Sequence, residues 1–372
     1  MTKRLTILPA LLLWTAAASA AGYEVRMNGA PQQVEPFKHY HYVSCTPEGA
    51  AEFTVTVPAA VSSAEVSPLS RGVEPSIEGS TVRFRLPEAG QYLVRLNDTA
   101  KLFIFAEKPA LKVEGTSIME YKGIDNTGTT NVTAAVQRAI DACAKKGRTL
   151  VFPAGEYLCG QLRLPSHAHL HLERGAVIRA DASSAAAFES NDDVKTRRFI
   201  YVKDAKDIRI TGLGAIDGSG RALREKFGDK ARIRLLLAVN SSDLHFEGVM
   251  FRDPGSWNTQ ILLCRDVVLR NIKLMNDTEL SNTDGFDPDA FERVRRAMYG
   301  KLLCGLDQFR SGCIDMAEGL FGGYEMMDAF PLLPEITVAE CAAWLTETFA
   351  PERLALSVVT PKGGDGDADN DA

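Results

Sequence analysis

The residues best suited to chemistry lie in one short run, Ser281-Asn-Thr-Asp-Gly-Phe-Asp-Pro-Asp289, directly after a series of short strand-like repeats. It offers the carboxylate of Asp284, flanked by Asn282 and Gly285, with Asp287 close behind. A carboxylate held on a rigid surface can move protons or bind a hydroxyl, and positioned acid–base groups typically contribute a factor of ~10²–10⁴ in rate. The competing use of Asp beside Gly is a turn in which the side chain accepts a hydrogen bond from its own backbone.

Other constellations point less sharply to chemistry. His167, His169 and His171 occupy alternate positions and so share one side of a strand, which is how a metal site on a sheet is built; the surrounding Leu170-His-Leu-Glu-Arg-Gly-Ala-Val-Ile178 reads instead as an ordinary strand with stacked outward side chains. His39 and His41, in Phe37-Lys-His-Tyr-His-Tyr42, are read as exposed strand residues or a sugar-stacking patch rather than ligands. Gly212-Leu-Gly-Ala-Ile-Asp-Gly218 is glycine-rich, but no helix follows in a βαβ unit, so its glycines serve bends rather than a nucleotide. No metal and no cofactor is expected. The adjacent pair Asp192-Asp193 sits far upstream in a polar loop.

These residues must be positioned by the repeats before them. Asp207-Ile-Arg-Ile-Thr-Gly-Leu-Gly-Ala-Ile216, Asp243-Leu-His-Phe-Glu-Gly-Val-Met-Phe251 and Asp266-Val-Val-Leu-Arg-Asn-Ile-Lys-Leu274 share one pattern, with Gly212, Gly248 and Asn271 where a left-handed bend joins two short strands. The units begin 36 and 23 residues apart. The shorter interval fits one coil of a parallel β-helix, and the longer one holds a polar insertion, Arg221 to Ala231, read as a loop. The region up to Ala290 has room for roughly seven or eight coils. Asn131 to Lys146 reads as an amphipathic helix with Asn131 as N-cap and Val132, Ala135, Val136, Ile140 and Cys143 on its apolar side. Such a helix shields the open first coil of a solenoid.

Upstream, from Tyr23 to about Glu107, short alternating runs such as Phe53-Thr-Val-Thr-Val57 and Gln91-Tyr-Leu-Val-Arg-Leu96 are separated by turn signals, which predicts a small antiparallel β-sandwich. Its roles would be spacing, edge-capping of the next domain or sugar binding. Lys3 and Arg4, the apolar run Leu5 to Ala17 and Ala18-Ser-Ala20 form a secretory pattern, too short for a ~20-residue span, so the mature chain is expected in the periplasm or outside the cell. Beyond Ala290 the period-two pattern gives way to helical patterns at Phe291–Leu306 and Val338–Phe349, a strand at Ala355–Val359 and a Gly/Asp-rich end expected to be disordered.

The domains expected are therefore a signal peptide (1–20), a sandwich (21–107), a parallel β-helix (108–290), a helical tail (291–362) and an acidic end (363–372). The 372-residue chain is 45% hydrophobic, with net charge −6, and offers no basic field for nucleic acid or an anionic membrane surface. Seven cysteines at irregular spacing argue against both a disulfide framework and a zinc cluster, and most read as buried thiols.

The Asn-Thr-Asp-Gly run resembles the first active-site motif of the polygalacturonase family of glycoside hydrolases, which are right-handed parallel β-helices of pectin-lyase type. The coils, Gly218-Ser-Gly220 and Trp257 in Asp253-Pro-Gly-Ser-Trp-Asn258 resemble that family too. The resemblance implies a mainly β, incomplete β-helix with an N-terminal sandwich and an α/β tail. It also implies inverting hydrolysis of pectic polysaccharide, with Asp284 in the water-activating set, Gly285 a close-approach glycine, and Asn282, Asp287 and Trp257 at the substrate. The family's later Asp-Asp, Gly-His-Gly and Arg-Ile-Lys do not occur after Asp289. An inactive carbohydrate-binding or structural remnant is thus the alternative. Residues 291–362 resemble the C-terminal end of insulinase-type zinc-peptidase homologues, without that family's His-x-x-Glu-His, which makes the chain a chimera with a junction near Asp289. The expected partner is pectin or a related polyuronate bound by a monomer, with no nucleic acid and no membrane.

Overall fold

The structure, a computed structural model, describes residues 22–97, 100–109, 112–188, 197–287, 298, 317, 321–323 and 326–348. The signal segment, Asp192-Asp193, the patterns at 291–306 (apart from Met298) and 355–359, and the acidic end lie outside the described residues. The chain divides into two compact units, Met1–Asp287 and Pro288–Ala372. Among the described residues of the second unit, Val338–Thr348 is an α-helix, as its apolar pattern predicts. Its first turn is fixed by reciprocal bonds between Thr337 and Glu340.

The first unit opens with two five-stranded sheets. One contains Glu24–Met27, Ala51–Thr56 and Thr81–Leu86; the other contains Val34–Phe37, Tyr40–Cys45, Gly90–Leu96 and Ala100–Ala106. Alternation along these strands buries Val25, Phe53, Val55, Val82 and Phe84 against Val94, Leu96, Leu102 and Ile104, with Phe53 and Phe84 stacked at 5.7 Å. The pairing is antiparallel as predicted except between Ala100–Ala106 and Tyr40–Cys45, which run parallel. Local turn signals cannot reveal that contact, because it joins segments some sixty residues apart.

Three parallel sheets follow, of six, six and five strands. Each coil after the first contributes one strand to each sheet, the first coil only to the two six-stranded ones, and equivalent residues stack in register: Ile208 over Leu244 over Val267, and Ile210 over Phe246 over Leu269. This is a parallel β-helix, with six coils among the described residues rather than seven or eight. The predicted bends are present. Gly212, Gly248 and Asn271 have φ of 107°, 81° and 49°, and a Cβ on Gly212 would lie 2.0 Å from the Leu172 carbonyl oxygen. Helix α1 (Thr133–Lys145) covers the first coils through Ala135, Val136, Ile140 and Cys143. Its N-cap position is Val132 rather than Asn131. Asn131 stands one residue earlier and accepts from the Thr133 N–H at 3.1 Å. The insertion read as a loop is a second helix, α2 (Gly220–Phe227), and a 3-10 turn. Leu223 and Ala231 are its buried anchors, too few to produce a visible period in the sequence.

The sandwich packs against the second solenoid sheet. Phe37, Tyr42 and Phe105 form one buried cluster with Ala215, Met250 and Met275. Around it, Arg252 pairs with Asp217 at 2.7 Å and donates to the Tyr42 hydroxyl at 3.2 Å, while Lys273 pairs with Glu107. Buried charges are tolerated only when paired and hydrogen-bonded, so this polar layer fixes a specific docking.

Candidate functional site

The third sheet carries the site. Its strands Leu162–Arg163, Arg198–Lys203, Arg234–Val239, Thr259–Leu262 and Phe286–Asp287 are parallel and in register. Thr259 pairs with Phe286 and Gln260 with Asp287. Trp257 and Asp284 therefore lie just before equivalent strands of adjacent coils, ~4.8 Å apart in backbone spacing. The link is direct: Asn258 N–H donates to the Asp284 carbonyl at 2.8 Å and Thr259 N–H to Gly285 O at 3.1 Å.

Side-chain amides fix the loop that leads into this strand. Asn258, fully buried, donates to Asn276 Oδ1 at 2.6 Å, and Asn276 in turn donates to the Thr283 carbonyl. Thr283 Oγ1 closes the loop onto Leu280 O at 3.0 Å and Asp277 O at 3.2 Å. Arginines hold it from two coils earlier: Arg224 of α2 reaches Ser281 Oγ at 3.4 Å while donating to Gly255 O of the intervening coil at 2.9 Å, and Arg232 donates to Asn282 Oδ1 at 2.9 Å.

Asp284 is exposed on this braced loop. Its carboxylate makes no hydrogen bond or ion pair with the described residues, so it is not the self-capping turn aspartate that its glycine neighbour suggests. That local role falls to Asp277, which accepts from the Glu279 N–H at 3.0 Å. Asn282 adopts φ 58°. Trp257 is half-buried, with the Arg234 guanidinium 4.6 Å from its ring centre. Asp287 is placed by strand register alone. Gly285 is mildly constrained: an added Cβ would meet the Leu274 side chain at 3.3 Å and Asn276 Nδ2 at 3.8 Å, with no backbone atom among these nearest neighbours. The demanding glycine is Gly220, where a Cβ would sit 2.1 Å from the Pro254 carbonyl oxygen; there the start of α2 lies on the turn that leads to Trp257.

The carboxylates on the sandwich side are engaged differently. Asp253 is tied to Lys38 at 3.0 Å. Burial and the neighbouring Asp217 charge push its carboxyl up, against the opposing pull of Lys38. Burial also disfavours ionisation of Asp277, but hydrogen bonds from Arg221 and the Glu279 N–H, with the Arg221 charge, outweigh it and hold that carboxyl below its usual range.

Arg224 and Arg232 were not anticipated from the sequence, nor was Arg234. A signal existed for two of them, since Arg232-Ile-Arg234 alternates around buried Ile233 at the start of a strand. The histidine series resolves into local contacts: His167 and His169 each lie 2.9 Å from one oxygen of Asp207, and His171 bonds Thr211 at 3.0 Å. His41 packs on Tyr23, with ring centres 4.9 Å apart.

Residues 143–297 match the family model of glycosyl hydrolases family 28. This stretch contains most of the solenoid and the entire Asp284 loop. The exo-poly-alpha-D-galacturonosidase of Dickeya chrysanthemi is 33% identical over 118 residues, covering 28% of this chain; the chain spans 19% of that relative's length. Among solved structures, the family 28 exopolygalacturonase of Yersinia enterocolitica aligns with a TM-score of 0.40 at 18% identity, over 70% of this chain and 62% of that one. The hyperthermoactive exopolygalacturonase of Thermotoga maritima aligns with a TM-score of 0.39 at 20% identity, over 49% of this chain and 51% of that one. Among the described residues no helix is long and apolar enough to cross a membrane.

Proposed function

We propose that the chain carries a polygalacturonase-type glycoside hydrolase site acting on pectic polyuronate, with Asp284 in the water-activating position and Asn282, Asp287 and Trp257 at the substrate. One observation carries this reading: the family 28 match includes a loop that presents an exposed carboxylate, unengaged by the described residues, on a backbone bonded into the solenoid. A general base needs that combination of rigidity and access. The guanidinium groups of Arg232 and Arg234 supply local positive charge for an anionic polymer in a chain of net charge −6. Inversion also requires a carboxylic acid ~6.5–9.5 Å from the base.

The test is reducing-sugar release from polygalacturonate by the full chain and by Asp284→Asn. We expect turnover by the parent chain and a loss of about 10²–10⁴-fold in the variant, with unchanged melting. Turnover that survives the substitution overturns the assignment.

A second reading, a catalytically inactive carbohydrate-binding remnant, is favoured by the sequence after Asp289, which contains no Asp-Asp, Gly-His-Gly or Arg-Ile-Lys. Polygalacturonate binding without turnover would select it.

A further inference from the structure

The loop bearing Asn282 and Asp284 is held from outside the solenoid as well as from within. It starts at Asp277, whose side chain is 0% exposed and receives Arg221 Nε at 2.6 Å. A second Arg221 nitrogen reaches Glu279 Oε2 at 2.7 Å. On the other side stands His39, from the sandwich hairpin between Val34–Phe37 and Tyr40–Cys45, with Nε2 3.3 Å from Glu279 Oε1 and 3.8 Å from Asp277 Oδ1. Its neighbour Lys38, at φ 52°, places Nζ 3.0 Å from Asp253 Oδ2. The other Asp253 oxygen accepts the Arg221 N–H at 3.2 Å.

The contacts form a closed circuit. Lys38 holds Asp253, Asp253 holds the Arg221 backbone, Arg221 holds Asp277 and Glu279, and His39 returns to the same two carboxylates. Two consecutive residues of the sandwich thus touch both ends of a network whose far side is the loop carrying Asp284. Donor atoms of His39, Asp277 and Glu279 lie within 4.8 Å of one another, the spacing of a cation site. The Arg221 guanidinium already bonds both carboxylates, which makes the cluster an ion-pair clamp.

We propose that the Lys38–His39 hairpin is a positioning element of the candidate site: by bridging Asp253 to Asp277 and Glu279, it sets the loop 277–284 and therefore the placement of Asp284. Lys38 and His39 are positioning residues with no role in touching substrate. The sandwich becomes part of the site's construction instead of a detachable accessory module. This inference rests on reading Asp284 as the functional carboxylate, so its test needs a readout that does not depend on turnover.

Amide hydrogen exchange on the full chain supplies one. In Lys38→Ala, His39→Ala and the double variant, exchange at Glu279 and Leu280, whose N–H groups bond to Asp277, should rise about tenfold or more, while the solenoid amide of Arg209 stays as in the parent. His39→Gln, which keeps a donor toward Glu279, should restore protection. Turnover of polygalacturonate should fall in kcat as Asp284 loses its placement, and KM should rise as well, because Asn282 sits on the same loop and is held by Arg232. Unchanged exchange in the double variant overturns the clamp. Faster exchange with unchanged kcat overturns the positioning role. If exchange accelerates but the parent chain neither turns over nor binds polygalacturonate, the clamp stands and the carbohydrate reading fails.

Discussion

Removing one member of the buried pair Lys273–Glu107 should undock the sandwich from the last of the described coils, and the cost can be worked from the geometry. The side chains are 3% and 4% exposed. Lys273 also donates to the Gly248 carbonyl at 2.8 Å, and Glu107 accepts from Asn271 at 2.7 Å. Glu107→Gln leaves an ammonium buried with one neutral acceptor and a side-chain amide. Breaking a buried pair from one side typically costs ~3–5 kcal/mol, which at about 2–4 °C per kcal/mol for a cooperative unit of this size is a fall in Tm of roughly 10 °C. The pH dependence is specific. Burial pushes the Lys273 ammonium down and the Glu107 charge opposes that push. Without Glu107 the folded-state value drops further below the unfolded value of about 10.4, so the folded form binds fewer protons than the unfolded one over a wider range. Stability then rises with pH across that range, and the deficit of Glu107→Gln should shrink as pH is raised from about 7 to 9. The double variant Glu107→Gln with Lys273→Met, which removes both charges, should recover most of the loss. The assay is thermal and urea unfolding of the parent, the single variants Glu107→Gln and Lys273→Met, and the double variant at both pH values. A single-variant loss below about 1 kcal/mol, or a double variant as unstable as the sum of the singles, would refute the reasoning.

Other outcomes follow from the same structure. Gly212→Ala places a methyl against the Leu172 backbone carbonyl at a φ of 107°, so it should cost more than about 4 kcal/mol or prevent folding, as read by urea denaturation. Phe246→Ala removes a fully buried ring that packs edge-on to Phe251 and should cost about 3–5 kcal/mol in the same measurement. Asp277, held below its usual range, contributes stability that is present above the unfolded carboxylate value of about 3.9 and lost as pH falls through the folded value. Acid titration of Asp277→Asn should accordingly show a shallower decline in stability than the parent below about pH 4.

Much of the scaffold was legible because a coil is a local object. The positions of Gly212, Gly248 and Asn271 follow from sterics within a few residues, and the period-two pattern between them fixes which side chains enter the core. Helix α1 was legible for the same reason, since its apolar stripe repeats every turn. The α2 insertion was not, because a mostly polar eight-residue helix with one buried leucine has no period to read. The parallel pair Tyr40–Cys45 with Ala100–Ala106 also escaped, because alternation gives a strand's faces without naming its neighbour.

The candidate site divides in the same way. Sequence by itself determined that an Asn-Thr-Asp-Gly loop ends a run of stacked strands, and that Asp284 is the residue worth testing. Only the tertiary structure decided that Asp284 faces solvent while Asp277, seven residues earlier, is buried. It alone brought Arg224 and Arg232 from two coils earlier onto the loop, and His39 from more than two hundred residues away onto Glu279. The physical reason is range. Backbone sterics and side-chain periodicity act between chain neighbours, whereas ion pairs form between whatever charges folding brings within a few ångströms, whichever part of the chain supplies them.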